Sequence, residues 1–253
     1  MLNLIEAIIL GVIQGITEWL PISSTAHLEI VKKLLKVELP ILFDVFLHLG
    51  TLIVLILIFN KEIKQIIKSI IKLDYKSEHF KLFQFLILGS IPITVIGLLF
   101  YKNVELAFTN SKVIGYALII NGIILFLTKF INKNKPINKL DSLIIGFSQA
   151  IAIIPGISRS GITISTGLLK GINKTQITTF SFLLSIPAIL GATILELKNI
   201  TYIPIIPTLV GTLTSMISGY IALKLIIKLI KEQKFYKFSY YSIIMGILVL
   251  LFI

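Results

Sequence analysis

The chain has 253 residues, of which 56% are hydrophobic, and its mean hydropathy is +0.97. This composition excludes an ordinary soluble domain and predicts an integral membrane protein of one domain, while the lack of cysteine excludes disulfides and thiolate metal sites. The net charge of +12 would suggest nucleic acid in a soluble protein, but the lysines cluster between apolar stretches, so we expect anionic lipid headgroups as partners and no nucleic acid.

The chain opens with two short apolar helices. Residues 4–20 have helical spacing and end at Pro21, and Ser23 or Ser24 then caps a second helix that runs to about Leu35. Each helix is too short to cross a hydrocarbon core of about 30 Å comfortably, so we predict a re-entrant hairpin. Because this start lacks a basic n-region and a small-residue cleavage site, we do not expect a removable signal peptide.

Longer apolar segments follow, and the lysines between them predict their orientation. We predict six spans, at 43–59, 82–101, 112–130, 176–196, 205–223 and 239–253. A second broken pair of helices lies at 141–153 and 158–170. The lysine-rich connections should face the cytoplasm, and they are 61–81, 129–139 and 224–237. The lysine-poor connections should face outward, and they are 102–112 and 197–204.

Internal similarity predicts a duplication, with chance similarity of apolar sequence as the alternative. The matches pair 11–15 with 146–150, Pro21 and Ser24 with Pro155 and Ser158, and Gly89 and Gly97 with Gly211 and Gly219. Repeat one would cover about 1–131 and repeat two about 140–253, each with one hairpin and three spans. An odd number of crossings inverts the second repeat, so the two hairpins would enter from opposite faces and their tips would meet near the midplane.

Arg159 is the only arginine among the 24 lysines and arginines, and no other charge occurs from Ser142 to Leu169. An arginine at membrane depth costs about 2.5–3.5 kcal/mol on insertion scales, so it is normally paired or lines a wet cavity. Its fork of donors matches phosphate or carboxylate oxygens in pairs. Nearby hydroxyls would complete an oxyanion cradle, and they belong to Ser158, Ser160 and Thr163. The alternative is a packing break whose arginine pairs with a neighbouring helix.

The first hairpin carries the polar groups that would face Arg159. They are Gln14, Glu18, Ser23, Ser24, Thr25 and His27. An arginine beside a hydroxyl-rich turn suggests a bound phosphate, and Ser24 near His27 suggests an activated nucleophile. Phosphoryl transfer would be assisted by a divalent cation on Glu18 and the substrate oxygens. The simpler alternatives are a Glu18 that only neutralises Arg159 and a His27 that is a hydrogen-bonded core residue.

Two long motifs relate the chain to a known family. They read QGITEWLPISSTAH at 14–27 and PGISRSGIT at 155–163, and the likeness extends over nearly the whole length, including 43–50. In these segments the chain resembles the bacterial undecaprenyl-pyrophosphate phosphatases of the bacitracin-resistance type. The resemblance implies an enzyme of the bacterial plasma membrane that removes the terminal phosphate of undecaprenyl diphosphate and so regenerates the monophosphate carrier for cell-wall synthesis.

The same resemblance implies roles for individual residues. Gln14 and Glu18 fall on an acidic motif, Ser24 on the proposed nucleophile and His27 on the catalytic histidine. The residues on the phosphate-binding motif are Ser158, Arg159 and Thr163. It also implies a divalent cation, Mg²⁺ or Ca²⁺, six spans with two inverted re-entrant hairpins, and often a homodimer. Because Gln14 cannot ionise, such a cation would depend on Glu18 and the substrate oxygens.

Some alternatives stay open at the level of sequence. Either Ser24 or His27 can attack phosphorus, and we favour Ser24 with His27 as its base. Inverted repeats with a midplane site are also the architecture of transporters, so a polyprenyl-phosphate flippase is the second hypothesis. The resemblance, rather than the lysine pattern, leads us to expect that the site opens to the extracytoplasmic side.

Overall fold

A computed structural model describes residues 2–108, 110–131, 134–197 and 202–253, with only the backbone course described at 101–108. These residues form eleven α-helices and no β-strand beyond one isolated bridge between Lys135 and Ile172. The helices are α1 Leu4–Trp19, α2 Ser24–Leu35, α3 Ile41–Ile58, α4 Asn60–Ile71, α5 Glu78–Phe108, α6 Ser111–Leu127, α7 Lys139–Ile151, α8 Arg159–Leu169, α9 Lys174–Glu196, α10 Ile205–Lys231 and α11 Phe238–Phe252.

Six helical segments are long and apolar enough to cross a membrane, which confirms the prediction of an all-α membrane protein with six spans. They include α3, α5, α6, α9, α10 and α11. The helix of the fifth span is longer than the predicted span at 205–223, since α10 continues to Lys231. Its last turn carries Lys228 and Lys231, where positive charge is favourable at a helix C-terminus.

The two broken pairs form as short helices at the predicted positions. With 16 and 12 residues in α1 and α2, and 13 and 11 in α7 and α8, none reaches more than about 24 Å at 1.5 Å per residue. The first pair is joined at Pro21, whose missing N–H cannot continue α1. Ser23 and Ser158 cap α2 and α8 by accepting from backbone N–H groups. The re-entrant course of both pairs stays a prediction.

Glycine contacts pack each short pair against a span from the other half of the chain. A Cβ on Gly11 of α1 would lie 2.4 Å from the carbonyl oxygen of Gly211 in α10, and one on Gly146 of α7 would lie 2.3 Å from that of Gly89 in α5. Only glycine allows these backbones to approach so closely. The four glycines are those that the predicted repeats equate, although the division into two inverted repeats itself stays a prediction.

The connections agree with a membrane protein whose charge lies at the ends of its spans. Within the lysine-rich connection 61–81, α4 is amphipathic, with Ile66 and Ser69 buried and Lys61, Lys64 and Lys68 exposed. The predicted outward connections at 102–112 and 197–204 lie partly outside the described residues, as do 132 and 133 of the connection 129–139.

Candidate active site

The two hairpin tips meet, and an asparagine from a neighbouring span links them. Asn121 of α6 donates from Nδ2 to the carbonyl oxygen of Pro21 at 2.8 Å, while its Oδ1 accepts from the backbone N–H of Ser158 at 3.1 Å. Ser160 Oγ donates to the carbonyl oxygen of Trp19 at 3.3 Å. The interior of the bundle therefore holds the start of α8 against the end of α1.

Glu18 is the centre of the polar cluster at this meeting point. Its Oε2 accepts from Ser24 Oγ at 2.7 Å and from Gln14 Nε2 at 3.1 Å, and its Oε1 forms an ion pair with Arg159. His48 Nε2 lies 3.4 Å from Oε2. Glu18 is 7% exposed, so its charge depends on these partners in place of bulk water.

Arg159 stands at the first position of α8, immediately after the N-cap. Ser158 Oγ accepts from the backbone N–H of Gly161 at 3.1 Å, which starts the helix and fixes the direction of the Arg159 side chain. The guanidinium carbon lies 5.9 Å from the centroid of the Trp19 ring. The side chain keeps 18% of its exposure and pairs with Glu18 across the two hairpins.

A cavity of about 480 Å³ opens beside this cluster. The predicted site residues that line it are Glu18, Ser23, Ser24, Thr25, Ser158 and Arg159. Most of the remaining wall is apolar and comes from α5 and α9, including Ile93, Gly97 and Leu98 on one side and Pro187, Ala188 and Gly191 on the other. A cavity with a polar end and an apolar flank suits a ligand that has an anionic head and a hydrocarbon tail.

His27 does not form the predicted pair with Ser24. Its Nδ1 donates to the carbonyl oxygen of Ser23 at 2.7 Å, and its Nε2 accepts from the hydroxyl of Tyr241 at 2.7 Å. The His27 and Tyr241 rings stack with centroids 5.6 Å apart. Ser23 has a φ of 70°, a left-handed conformation that is strained for a residue with a Cβ. His27 therefore stabilises the turn before Ser24, and Glu18 accepts the Ser24 hydroxyl instead.

Three other predicted residues support the cluster from behind. Thr163 Oγ1 donates to the carbonyl oxygen of Arg159 at 2.8 Å and pairs with Ser181 Oγ at 2.6 Å. Ser160 Oγ donates to the carbonyl oxygen of Trp19, and Gln14 Nε2 donates to the carboxylate of Glu18. In the described part of the chain, the cavity wall does not include Thr163, Ser160 or Gln14. Their predicted contact with phosphate stays a prediction. Thr163 and Gln14 contact Arg159 and Glu18, and Ser160 joins the start of α8 to the end of α1.

Two residues of the site were given no role by the sequence analysis. His48 of α3 lines the cavity, and its Nδ1 donates to the carbonyl oxygen of Asp44 at 2.8 Å. Because the proton of the neutral ring is then on Nδ1, His48 can donate from Nε2 to Glu18 only when the ring is an imidazolium. Asn121 is the tip-linking residue described above. A signal existed for both, since each is a polar residue inside a predicted span, where polar groups are rare and usually functional.

The site residues fit a divalent cation only if substrate supplies most of its ligands. No group of three or more histidine, aspartate or glutamate side chains that could hold a metal ion occurs in the described ranges. The buried Gln14 Oε1, however, has no hydrogen-bond partner in the described residues, while Nε2 of the same side chain donates to Glu18. A carboxylate and an amide oxygen are ligands that Mg²⁺ and Ca²⁺ accept, and Mg²⁺ commonly takes the rest from phosphates and water.

Comparison with known proteins identifies the family of the chain. Residues 7–248 match the family described as bacitracin resistance protein BacA. A relative from Carboxydothermus hydrogenoformans is 41% identical over 98% of this chain and 97% of its own length, and one from Korarchaeum cryptofilum is 39% identical over 98% and 99%. A third, from Methanobrevibacter smithii, is 38% identical over 98% and 97%. All three are named undecaprenyl-diphosphatase. The chain therefore belongs to the bacitracin resistance protein BacA family.

Proposed function

We propose that this protein hydrolyses undecaprenyl diphosphate to undecaprenyl phosphate and inorganic phosphate, and so recycles the lipid carrier for cell-wall synthesis and contributes to bacitracin resistance. The observation that carries the proposal is the hydrogen bond from Ser24 to Glu18, which stands opposite Arg159 in a cavity with an apolar flank. Relatives over nearly the full length bear the name of the same activity.

The cavity suggests how the substrate would lie. The terminal phosphate would sit between Arg159 and the hydroxyls of the first hairpin, because the guanidinium fork binds phosphate oxygens in pairs. Ser158 also lines the cavity at the N-terminus of α8, where backbone N–H groups favour an anion. The polyprenyl chain would leave between α5 and α9, whose cavity-lining residues Gly97 and Gly191 are small.

In the first chemical step, Ser24 Oγ attacks the terminal phosphorus while Glu18 takes its proton. The bond from that phosphorus to the bridging oxygen breaks, undecaprenyl phosphate leaves and a phosphoserine remains. The 2.7 Å contact provides the proton path, since a general base must lie within hydrogen-bond reach of the proton it removes. Arg159 shifts from its carboxylate partner toward the phosphate as negative charge develops there.

In the second step, water attacks the phosphoserine and Ser24 recovers its proton. The water gives one proton to Glu18, the serine–phosphorus bond breaks, and inorganic phosphate leaves. Glu18 then passes the proton that it took from water to the Ser24 oxygen. The proton that it accepted in the first step has by then left with undecaprenyl phosphate, so Glu18 is ionised when water attacks and the enzyme is restored. His48, at 3.4 Å from the same carboxylate, would hold the charge and orientation of Glu18 through both steps.

A divalent cation would be held by Glu18 together with diphosphate oxygens and water, because Gln14 does not line the cavity. When bound, Mg²⁺ or Ca²⁺ would neutralise charge on the transferring phosphate. We expect activity to be lost on chelation and restored by either ion. The flippase alternative is not supported, since the relatives carry the name of a phosphatase.

We propose that the site belongs to the plasma membrane of a bacterium and opens to its outer side. The cavity is lined by Ile41 from the first turn of α3 and by Leu195 near the end of α9. Leu195 lies just before the outward-predicted connection 197–204, and Ile41 begins a span whose other end meets the cytoplasm-predicted connection 61–81. Because the chain has no native cysteine, Thr25→Cys gives one label site, and a bilayer-impermeant reagent applied outside should modify it. Modification only from inside would reverse the assignment of the side.

The homodimer that the resemblance implies stays a prediction.

The activity itself is tested with the purified full chain in detergent. We expect release of inorganic phosphate from undecaprenyl diphosphate, and none after Ser24→Ala. A rapid quench in denaturant at neutral pH should trap phosphate on the peptide that contains Ser24 and His27, and a phosphoserine there should survive later acid treatment, which removes phosphate from histidine. Phosphate recovered instead on His27 would identify the histidine as the nucleophile, and a wild-type chain that releases no phosphate would overturn the proposal.

A further inference from the structure

A glutamine outside the motifs described above has an unusual position in the cavity wall. Gln149 of α7 is 1% exposed, and neither its Oε1 nor its Nε2 has a hydrogen-bond partner in the described part of the chain. It lines the same cavity as Glu18, Ser24 and Arg159. Buried carboxamides are nearly always paired, so one with both polar atoms unpaired beside a cavity indicates that a ligand completes its bonding.

Comparison with the first hairpin indicates what kind of ligand this is. Gln14, which the predicted repeats equate with Gln149, donates to the carboxylate of Glu18 four residues later. Four residues after Gln149 stands Ile153, whose side chain has no hydrogen-bond acceptor. The second hairpin therefore keeps the amide and lacks the anionic oxygen that pairs with it. A ligand with anionic oxygens would replace the missing carboxylate.

We propose that Gln149 is a phosphate-binding residue, whose amide N–H donates to a non-bridging oxygen of the bound diphosphate. The inference rests on the proposed function and adds a contact from α7 to those from the guanidinium of Arg159. With Ser24 and Arg159 on the other parts of the wall, the phosphate would be held by groups from both hairpins. Gln149 binds and orients the anion and takes no proton.

The test uses Gln149→Met in the full chain, because methionine matches glutamine in length and makes no strong hydrogen bond. We expect KM for undecaprenyl diphosphate and the inhibition constant for inorganic phosphate each to rise roughly 10-fold or more, as for loss of a hydrogen bond to a charged group. The melting temperature should hold or rise, since no protein hydrogen bond is lost. Gln149→Glu should weaken phosphate inhibition further by repulsion of like charges.

Ser165→Ala provides the matched control. Ser165 Oγ is also buried and without a partner in the described residues, but it does not line the cavity. This variant should keep wild-type kinetics. An active wild type with unchanged KM and phosphate inhibition in Gln149→Met would overturn the inference alone. A wild type that releases no phosphate would overturn the proposed function instead.

Discussion

Ser24 Oγ donates a hydrogen bond to Glu18 Oε2 over 2.7 Å, although six positions separate the two residues in the chain. The contact forms because α1 ends at Trp19 and the turn through Pro21 brings the start of α2 back toward the last turn of α1. The proposed nucleophile and base thus come from one hairpin, while the guanidinium that faces them comes from the other.

Glu18→Gln should lower kcat by roughly 10² to 10⁴, the usual contribution of general base catalysis. The amide can still accept from Ser24 but cannot take its proton, and it loses the charge that pairs with Arg159. Phosphate release from undecaprenyl diphosphate measures the effect. Lys68→Ala changes an exposed side chain on α4 and should leave turnover intact. Equal activity in both variants would remove Glu18 from the mechanism.

Arg159→Lys should lower kcat/KM by about 10² or more, because an ammonium cannot reproduce the two parallel hydrogen bonds of a guanidinium to phosphate. The substitution keeps the positive charge opposite Glu18, so the protein should still fold and its melting temperature should change little. Measuring kcat/KM together with thermal unfolding separates these effects. Wild-type kinetics with lysine at this position would show that only charge is needed.

The sequence alone predicted the helices and the central contact for clear physical reasons. Long apolar segments leave few alternatives to membrane spans, and a solitary arginine at depth requires a partner, which the structure identifies as Glu18. The predicted pairing of Ser24 with His27 was wrong, since Ser24 bonds Glu18 and His27 bonds Tyr241. Spacing places residues on one helical face but does not determine which acceptor reaches a hydroxyl at the helix start, where the preceding turn bends back.

The contacts of His48 and Asn121 could not be predicted from the sequence, although both residues are polar positions inside predicted spans. His48 reaches Glu18 from α3, and Asn121 reaches the tips from α6, in each case through packing that no local pattern records. The predicted lysine-rich connection 224–237 begins as a continuation of α10, because the long apolar stems of lysine let a helix extend beyond the hydrocarbon core.

His48→Gln should lower kcat by roughly 10-fold or more, on the scale of one lost charge-assisted contact. The imidazole lies 3.4 Å from Glu18 Oε2 and retains a quarter of its side-chain exposure at the cavity. Glutamine preserves bulk but cannot become a cation. We expect KM to change less than kcat, because His48 acts on Glu18 and not on the phosphate. A variant with wild-type kcat would exclude this role.

His27→Gln should lower both the melting temperature and kcat. The imidazole joins the carbonyl oxygen of the strained Ser23 to the hydroxyl of Tyr241, and loss of either bond loosens the turn that holds Ser24. Tyr241→Phe removes only the second bond and should have the smaller effect on both quantities. Abolished turnover with an unchanged melting temperature would instead favour direct catalysis by His27.

Asn121→Ala tests whether the hairpin tips must be held together for catalysis. The substitution leaves the Pro21 carbonyl and the Ser158 N–H without their partner, and each unsatisfied buried group costs about 1–3 kcal/mol. We expect a lower melting temperature and a lower kcat, because Arg159 follows Ser158 directly and moves with it. Asn60→Ala is the matched control, since that exposed asparagine donates to the carbonyl oxygen of Leu57, three residues earlier at the junction of α3 and α4. If Asn121→Ala lost stability but kept full kcat, the tips would be joined for folding alone, and the opposition of Arg159 to Glu18 would have to be maintained by their own ion pair.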